Sequence, residues 1–227
     1  MKFVVTAGPT REHLDPVRFL SNPSTGKMGF AIARAAAMRG HEVALVAGPV
    51  SLKTPKDVRR IDVTSAREML AAVEEEMSKA KSGKPTVFVA TAAVADWRPA
   101  KCAARKLKKG QMSGILKLVR NPDILKTVAR RTKTTHSPTH PLTHSPTYLV
   151  GFAAETNDVL AEARRKCREK NLDMIVANDV TEKGSGFGVD TNRVTFVRKD
   201  GSVERLPLMT KLAVARRIVR ECEDLCP

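Results

Sequence analysis

Residues 18 to 32 read Arg-Phe-Leu-Ser-Asn-Pro-Ser-Thr-Gly-Lys-Met-Gly-Phe-Ala-Ile. They join a loop of small residues to the first turn of a helix, the combination that holds an anion. Pro23 cannot continue a helix and Ser24 or Thr25 can cap one. Gly26 and Gly29 remove side chains where a phosphate or a neighbouring strand must come close. Phe30, Ala31, Ile32, Ala33, Ala35 and Ala36 then supply helix propensity and an apolar stripe. The free N–H groups of the first turn and the positive end of the helix dipole therefore face the loop. A nucleotide or a phosphate ester is the expected occupant, and a glycine pair serving only close helix–sheet packing is the competing explanation.

Two common phosphate motifs do not fit. A Walker A loop needs Gly-x-x-x-x-Gly-Lys followed by Ser or Thr, yet Met28 follows Lys27 and Ser21 stands at the first glycine position. A dinucleotide fingerprint needs glycine where Ser24 stands.

The elements that must position this loop follow from hydrophobic periodicity. Short apolar runs predict strands at residues 2 to 6, 42 to 47, 86 to 91, 148 to 152 and 173 to 177, and the stretches between them predict helices at 25 to 39, 65 to 80, 122 to 131, 156 to 170 and 210 to 224. Gly40 stops the first long helix, and Thr64 or Ser65 starts the second with Glu68 placed to close a capping box. Arg193 to Arg198 and Ser202 to Leu206 flank an Asp200-Gly201 turn and read as an antiparallel hairpin. The expected fold is α/β: a Rossmann-like, mostly parallel sheet flanked by helices, with a C-terminal antiparallel hairpin, in one domain over 1–227. Loops after residues 6, 47, 91, 152 and 177 would then share one crevice at the carboxyl ends of the strands.

The chain of 227 residues shows no leader-like start and no window of about 18 apolar residues, so a cytoplasmic protein with no membrane contact is expected. Cys102, Cys167, Cys222 and Cys226 lack paired zinc-site spacing and read as reduced thiols. Forty basic against 24 acidic residues give a net charge of +16, which admits a nucleic-acid partner. One Trp, one Tyr and seven Phe supply no interleaved stacking aromatics, which makes that partner unlikely. Residues 132 to 147 repeat Thr-His-Ser-Pro-Thr, and Pro138, Pro141 and Pro146 break any helix that could align His136, His140 and His144. A flexible low-complexity loop is expected there rather than a metal stripe.

Further strings stand at or beside the predicted strand ends: Thr6 to Arg11, Ala90-Thr-Ala-Ala-Val-Ala-Asp96-Trp-Arg98, Lys106-Leu-Lys-Lys109, Arg120-Asn-Pro-Asp-Ile-Leu125, Gly151-Phe-Ala-Ala-Glu-Thr156, Lys170-Asn-Leu-Asp173 and Ala177-Asn-Asp179. Together with the Ser-Asn-Pro-Ser-Thr-Gly-Lys-Met-Gly loop they closely resemble phosphopantothenoylcysteine synthetase in its bacterial CTP-using form. The resemblance runs in the same order over nearly residues 1 to 209. The proline–histidine insertion and Arg105 depart from the pattern.

The resemblance implies a phosphopantothenate–cysteine ligase of coenzyme A biosynthesis. It would take CTP, 4'-phosphopantothenate and L-cysteine as substrates and use Mg2+ or Mn2+ held mainly by the triphosphate. The family works as a homodimer with sites near the subunit interface. It is often fused to a flavin-dependent decarboxylase, which would here be a separate protein or a half outside this sequence. Lys106 would stabilise the α-phosphate from a mobile flap ordered by Lys108 and Lys109. Ala90, Thr91, Ala92, Asp96, Pro122, Asp123, Ile124, Leu125, Phe152, Lys166 and Lys170 would bind CTP. Asn22 would hold the acyl-cytidylate for the second step. Arg18 and Lys27 would take the phosphate of phosphopantothenate with Gly26 and Gly29, while Ala92 and Ala93 leave room for the intermediate.

Local readings compete at each position. The lysine cluster and the Lys166 and Lys170 pair read as solvated faces, Asp96 as a turn carboxylate and Phe152 as core. A nicotinamide-dependent reductase on the same topology is the alternative enzyme, opposed by Ser24 and by the absence of an acid at Val46 or Ala47. A basic nucleic-acid module is the non-enzymatic one.

Overall fold

A strand that is apolar along its whole length, as Phe3-Val4-Val5 is, must be covered on both faces, and that condition organises the molecule. The computed structural model describes residues 1–80, 83–108, 110, 114–135 and 146–226. In chain order its elements are β1 (Lys2–Ala7), β2 (Arg11–His13), β3 (Phe19–Ser21), α1 (Lys27–Met38), β4 (Glu42–Ala47), β5 (Arg59–Asp62), α2 (Ala66–Ser78), β6 (Thr86–Ala90), β7 (Trp97–Pro99), β8 (Leu118–Arg120), α3 (Ile124–Thr135), β9 (Thr147–Glu155), α4 (Val159–Glu169), β10 (Met174–Asp179), β11 (Thr191–Asn192), β12 (Thr195–Arg198), β13 (Val203–Arg205), β14 (Met209–Thr210) and α5 (Lys211–Asp224).

Eight strands form one sheet in the order β13-β12-β10-β9-β6-β1-β4-β5. The six from β10 to β5 run parallel, and β12 and β13 join antiparallel at one edge. The expected hairpin is that edge: Val197 faces Val203 across a turn in which Gly201 N–H donates to Arg198 O at 3.0 Å. Alternate residues of β1 divide the core. Phe3 and Val5 pack with Phe30, Ile32, Val214 and Ile218 beneath α1 and α5, whereas Val4 packs with Met69, Val73, Val128 and Cys167 beneath α2, α3 and α4.

The capping box holds: Ser65 Oγ accepts from Glu68 N–H at 3.2 Å, and Glu68 reaches back to Thr64 N–H at 2.8 Å. Several boundaries move. Helix α4 begins at Val159 rather than 156 because β9 continues to Glu155 and pairs with Asp179. Residues 132 to 135 finish α3, and Pro146 O accepts from Thr86 N–H, so both ends of the expected loop are built into the fold. Residues 136 to 145, with all three insertion histidines, lie outside the described residues, as does Lys109. Among the described residues no helix is long and apolar enough to cross a membrane.

Candidate active site

The strand order changes direction between β1 and β6, and the loops leaving their carboxyl ends part there. The gap is a crevice of about 440 Å³. Its walls are the Asn22 to Gly29 loop, residues 90 to 96 after β6, residues 121 to 125 at the start of α3, and Phe152, Ala154 and Asn178 from β9 and β10. A strap that includes Gly186 and Phe187, with Asn192, Lys211 and Lys170, closes the rest. The loop after β4 does not join the crevice. It packs behind the start of α1, where Val50 Cγ1 would lie 3.2 Å from a Cβ at Gly26.

The start of α1 differs from expectation in an informative way. Neither Ser24 nor Thr25 caps the helix. Gly26 does, in the left-handed region at φ 76°, with no side-chain hydrogen bond to the first turn. Both hydroxyls are used elsewhere: Ser24 Oγ accepts from Gly26 N–H at 3.3 Å, and Thr25 Oγ1 donates to Phe187 O at 2.7 Å. The first-turn N–H groups are thus left without a side-chain cap beside the crevice, as a ligand site requires. Gly29 answers the packing explanation instead. A Cβ there would stand 2.5 Å from Ala7 Cβ, 2.6 Å from Thr91 Oγ1 and 2.9 Å from Thr6 O.

The opposite wall is threaded onto β1. Thr91 Oγ1 donates to Thr6 O, and Thr6 Oγ1 accepts from Ala92 N–H at 3.2 Å. Asn22 bridges the walls, its Nδ2 donating to Ala93 O at 3.1 Å and Val94 O at 3.2 Å. Asn121 braces the far side by donating to Ala95 O at 2.8 Å. Asp123 accepts from Lys126 N–H at 2.9 Å at the start of α3 and pairs with Lys170 at 2.7 Å. Burial works to raise the Asp123 carboxyl, yet Lys170 and the Lys126 N–H hold it below the usual value.

Two lysines tie down the strap. Lys27 Nζ donates to Gly188 O at 2.9 Å and pairs with Asp190 at 2.7 Å. Lys211, only 6 % exposed, donates to Gly186 O at 2.7 Å, Phe187 O at 3.3 Å and Val189 O at 2.5 Å. Burial pushes its ammonium below the ordinary lysine value; Lys27 adds to this and Asp190 partly offsets it.

Of the residues expected from the sequence, Asn22, Gly26, Lys27, Gly29, Ala90 to Ala93, Asp96, Pro122 to Leu125, Phe152 and Lys170 line this one crevice. Lys106, Lys108, Arg18 and Lys166 do not. Lys166 is turned to Glu155 and Arg18 to Asp15, while Lys106 and Lys108 are exposed on the 101 to 108 segment. Asn121, Asn178, Phe187, Asn192 and Lys211 line the crevice without having been assigned a role from sequence. Lys211 did carry a signal: a lysine in the first turn of a helix opposes the dipole and needs another reason to be there.

No histidine or cysteine is among the described residues lining the crevice. Its charged and hydroxyl lining is Lys27, Lys170 and Lys211 with Thr6, Ser24, Thr25 and Thr91, beside Asp96 and Asp123. Among the described residues no cluster of three metal-ligating side chains occurs. Asp96 and Asp123 are the carboxylates among the described lining residues, and Asp123 is already paired with Lys170 at 2.7 Å, so a divalent ion here would take most of its ligands from a bound triphosphate and water.

These features define an α/β protein with a crevice at the topological switch point, lined by lysines and a helix start without a side-chain cap. The comparisons give the particular family: residues 1–225 match the model of the DNA/pantothenate metabolism flavoprotein C-terminal domain, and the chain belongs to that family. It is 47% identical over 220 residues to the coenzyme A biosynthesis bifunctional protein CoaBC of Vibrio cholerae, covering 96% of this chain and 51% of that one. It is 46% identical over 224 residues to the Escherichia coli protein of the same name, covering 97% and 51%. The chain thus spans about half the length of these relatives. A solved C-terminal domain of CoaBC superposes with a TM-score of 0.78 at 42% identity, covering 99% of this chain and 94% of that one.

Proposed function

We propose that the protein is a phosphopantothenate–cysteine ligase that activates its acid with CTP. The observation that carries the reading is the single crevice in which the α1 anion site, the 90 to 96 loop and the α3 start converge, in a chain 42% identical to a CoaBC C-terminal domain. In the first step a carboxylate oxygen of 4'-phosphopantothenate attacks the α-phosphorus of CTP. The bond to the β-phosphate oxygen breaks and pyrophosphate leaves. In the second the cysteine amine attacks the acyl carbon, the acyl–oxygen bond breaks, CMP leaves and the amine gives up a proton. Both steps need charge screened and groups aligned, which is what this crevice supplies.

Asp96, exposed at the crevice rim, would accept from cytosine or its ribose, and Phe152 would cover the base. The α3 start with Lys170 would meet the triphosphate, with Lys166 added once Glu155 releases it. The divalent ion would screen the triphosphate charge. Lys106, carried on the exposed 101 to 108 segment with Lys108, would close over the α-phosphate, and Lys109 would help order that closure. Asn22, as a neutral amide between the two walls, would hold the acyl-cytidylate without adding charge. Lys27 and the Gly26 to Gly29 helix start would take the phosphopantothenate phosphate; Arg18, expected there from the resemblance, is turned to Asp15 and Leu107 and would have to release them to join.

The reading includes a homodimer. Val17, Phe19, Trp97 and Leu118 on the small β2–β3 and β7–β8 ribbons are exposed apolar side chains that a second copy would cover. It includes no membrane or nucleic-acid partner, and a decarboxylase acting on the product as a separate protein or as a fused half. Incubating the purified protein with CTP, phosphopantothenate, cysteine and magnesium should release CMP and pyrophosphate in equal amounts. No CTP consumed would end the proposal.

A further inference from the structure

Asp15 lies in the turn between β2 and β3, outside the crevice, and the ligation as written gives it nothing to do. Its side chain has no exposed surface. Oδ1 accepts from the N–H groups of Val17 at 2.9 Å and Arg18 at 2.8 Å. Oδ2 accepts from Arg18 Nε at 3.0 Å, Arg18 Nη2 at 2.6 Å and the Leu107 N–H at 3.2 Å. The same Arg18 Nη2 donates to Leu107 O at 2.7 Å. One buried carboxylate and its guanidinium therefore grip Leu107 by both its N–H and its carbonyl. Leu107 stands between Lys106 and Lys108, on a segment otherwise tied to this turn by Ala103 N–H donating to Leu14 O at 2.8 Å.

A buried carboxylate is costly unless it is paired and its lone pairs are filled, and Asp15 meets both conditions. The Arg18 guanidinium, helped by the backbone donors and opposed by burial, holds the carboxyl well below the usual carboxylate range. The clamp is thus charged throughout the neutral range. What it fixes is the register of an exposed lysine segment on the body of the protein.

We propose that Asp15 is a positioning residue for the nucleotide-activating step: with Arg18 it clamps the Leu107 peptide and so sets the point from which Lys106 reaches toward the crevice. The role of Lys106 rests on the ligase reading; the clamp does not. A lysine misplaced by about 1 Å costs a rate on the order of 10²-fold. The cost should fall mainly on pyrophosphate release, where the α-phosphorus is itself the reacting centre, whereas in the transfer to cysteine the attack is on the acyl carbon and the phosphate only leaves.

The test uses the whole chain with Asp15→Asn, and with Leu107→Pro, which deletes one N–H from the segment and leaves the buried carboxylate intact. Deuterium exchange of residues 101 to 108 should quicken on the order of tenfold in both. Pyrophosphate release from CTP should slow on the order of 10²-fold, while cysteine transfer from supplied acyl-cytidylate stays near the wild-type rate. Unchanged exchange in both variants, or equal loss of both half-reactions, would overturn the proposal. If Asp15→Asn fails to fold, Leu107→Pro alone decides it. Wild-type protein that ignores CTP while the variants exchange faster would sink the ligase reading and leave the clamp standing.

Discussion

The α1 rim of the crevice and the 101 to 108 segment outside its lining carry lysines in opposite ways. At the α1 rim, Lys211 is buried and spends its donors on three backbone carbonyls, Lys27 is tied to Gly188 and Asp190, and Gly29 lets the helix press against β1. In the 101 to 108 segment, Lys106 and Lys108 are exposed and the backbone is held through Leu107 and Ala103. A preformed anion site needs the first design, because fixed donors lose little entropy when the ligand arrives. A lysine that must follow charge as it develops on a phosphorus needs the second, because it has to move in after the nucleotide. On the ligase reading proposed above, the difference separates binding from activation.

The largest test of that separation is Lys106→Gln. Loss of one charge that stabilises the reacting phosphate should lower pyrophosphate release by about 10²–10³-fold, with unchanged thermal stability. A rapid-quench assay with labelled CTP measures it, and a loss shared equally with the cysteine step would blur the two regions into one. Asn22→Asp should do the converse. It places a negative charge between the walls, so the cytidylate still forms while its transfer to cysteine slows by about 10–10²-fold in single-turnover experiments.

Gly29→Ala probes the rigid rim. Its Cβ would press on Ala7, Thr91 and the Thr6 carbonyl, so α1 must shift away from β1. We expect about 1–3 kcal/mol of lost stability by urea unfolding, with weaker phosphopantothenate binding. Full stability in the variant would show that helix and sheet do not need their close contact.

The rigid rim was also the part half hidden in the sequence. The parallel strands were legible because strands buried on both faces are apolar throughout, and Phe3-Val-Val or Met174-Ile-Val admits little else. The edge strand β5 was not, because Arg59-Arg-Ile-Asp62 carries the charges that keep an edge from pairing further. β2, β3, β7 and β8 escaped for a related reason: three-residue ribbons have no measurable period. In the site, the Asn22 to Gly29 loop declared itself through glycines that suit close approach, and Ala90 to Asp96 through its place after a strand and the family resemblance. The strap did not, since it meets the start of α1 through contacts more than 160 residues apart in sequence, such as Thr25 with Phe187, and Lys211 offered only its unfavourable place in a first helical turn.

Lys211→Met tests whether that hidden element holds the rim together. Methionine fills the volume and relieves the burial of a charge, but strands the carbonyls of Gly186, Phe187 and Val189. The stranded carbonyls should win by about 1–2 kcal/mol, read as a lower urea midpoint with faster exchange in residues 184 to 190. A variant as stable as the wild type would mean the strap is held by its other bonds, among them those from Lys27, Thr25 and the Lys211 N–H.

Asp190→Asn should give the smallest effect, and its pH dependence sharpens the comparison. Lys27 first by hydrogen bond and then by charge holds the Asp190 carboxyl below its ordinary 3.8, against a weaker effect of burial. The folded protein therefore binds this proton less readily than the unfolded chain. The ion pair contributes its full stability above about pH 4 and loses it as pH falls through the lowered folded value. Wild type and variant should differ by a small constant amount at neutral pH and converge on acidification, as measured by urea midpoints across pH. Asp190 is 87% exposed, so molar salt should erase the neutral-pH difference as well. The same substitution removes the carboxylate that already occupies Lys27, so the KM for phosphopantothenate should fall slightly in the variant. A rise instead would mean that Lys27 serves only to hold the strap, and that the rigid rim binds its anion through the α1 backbone alone.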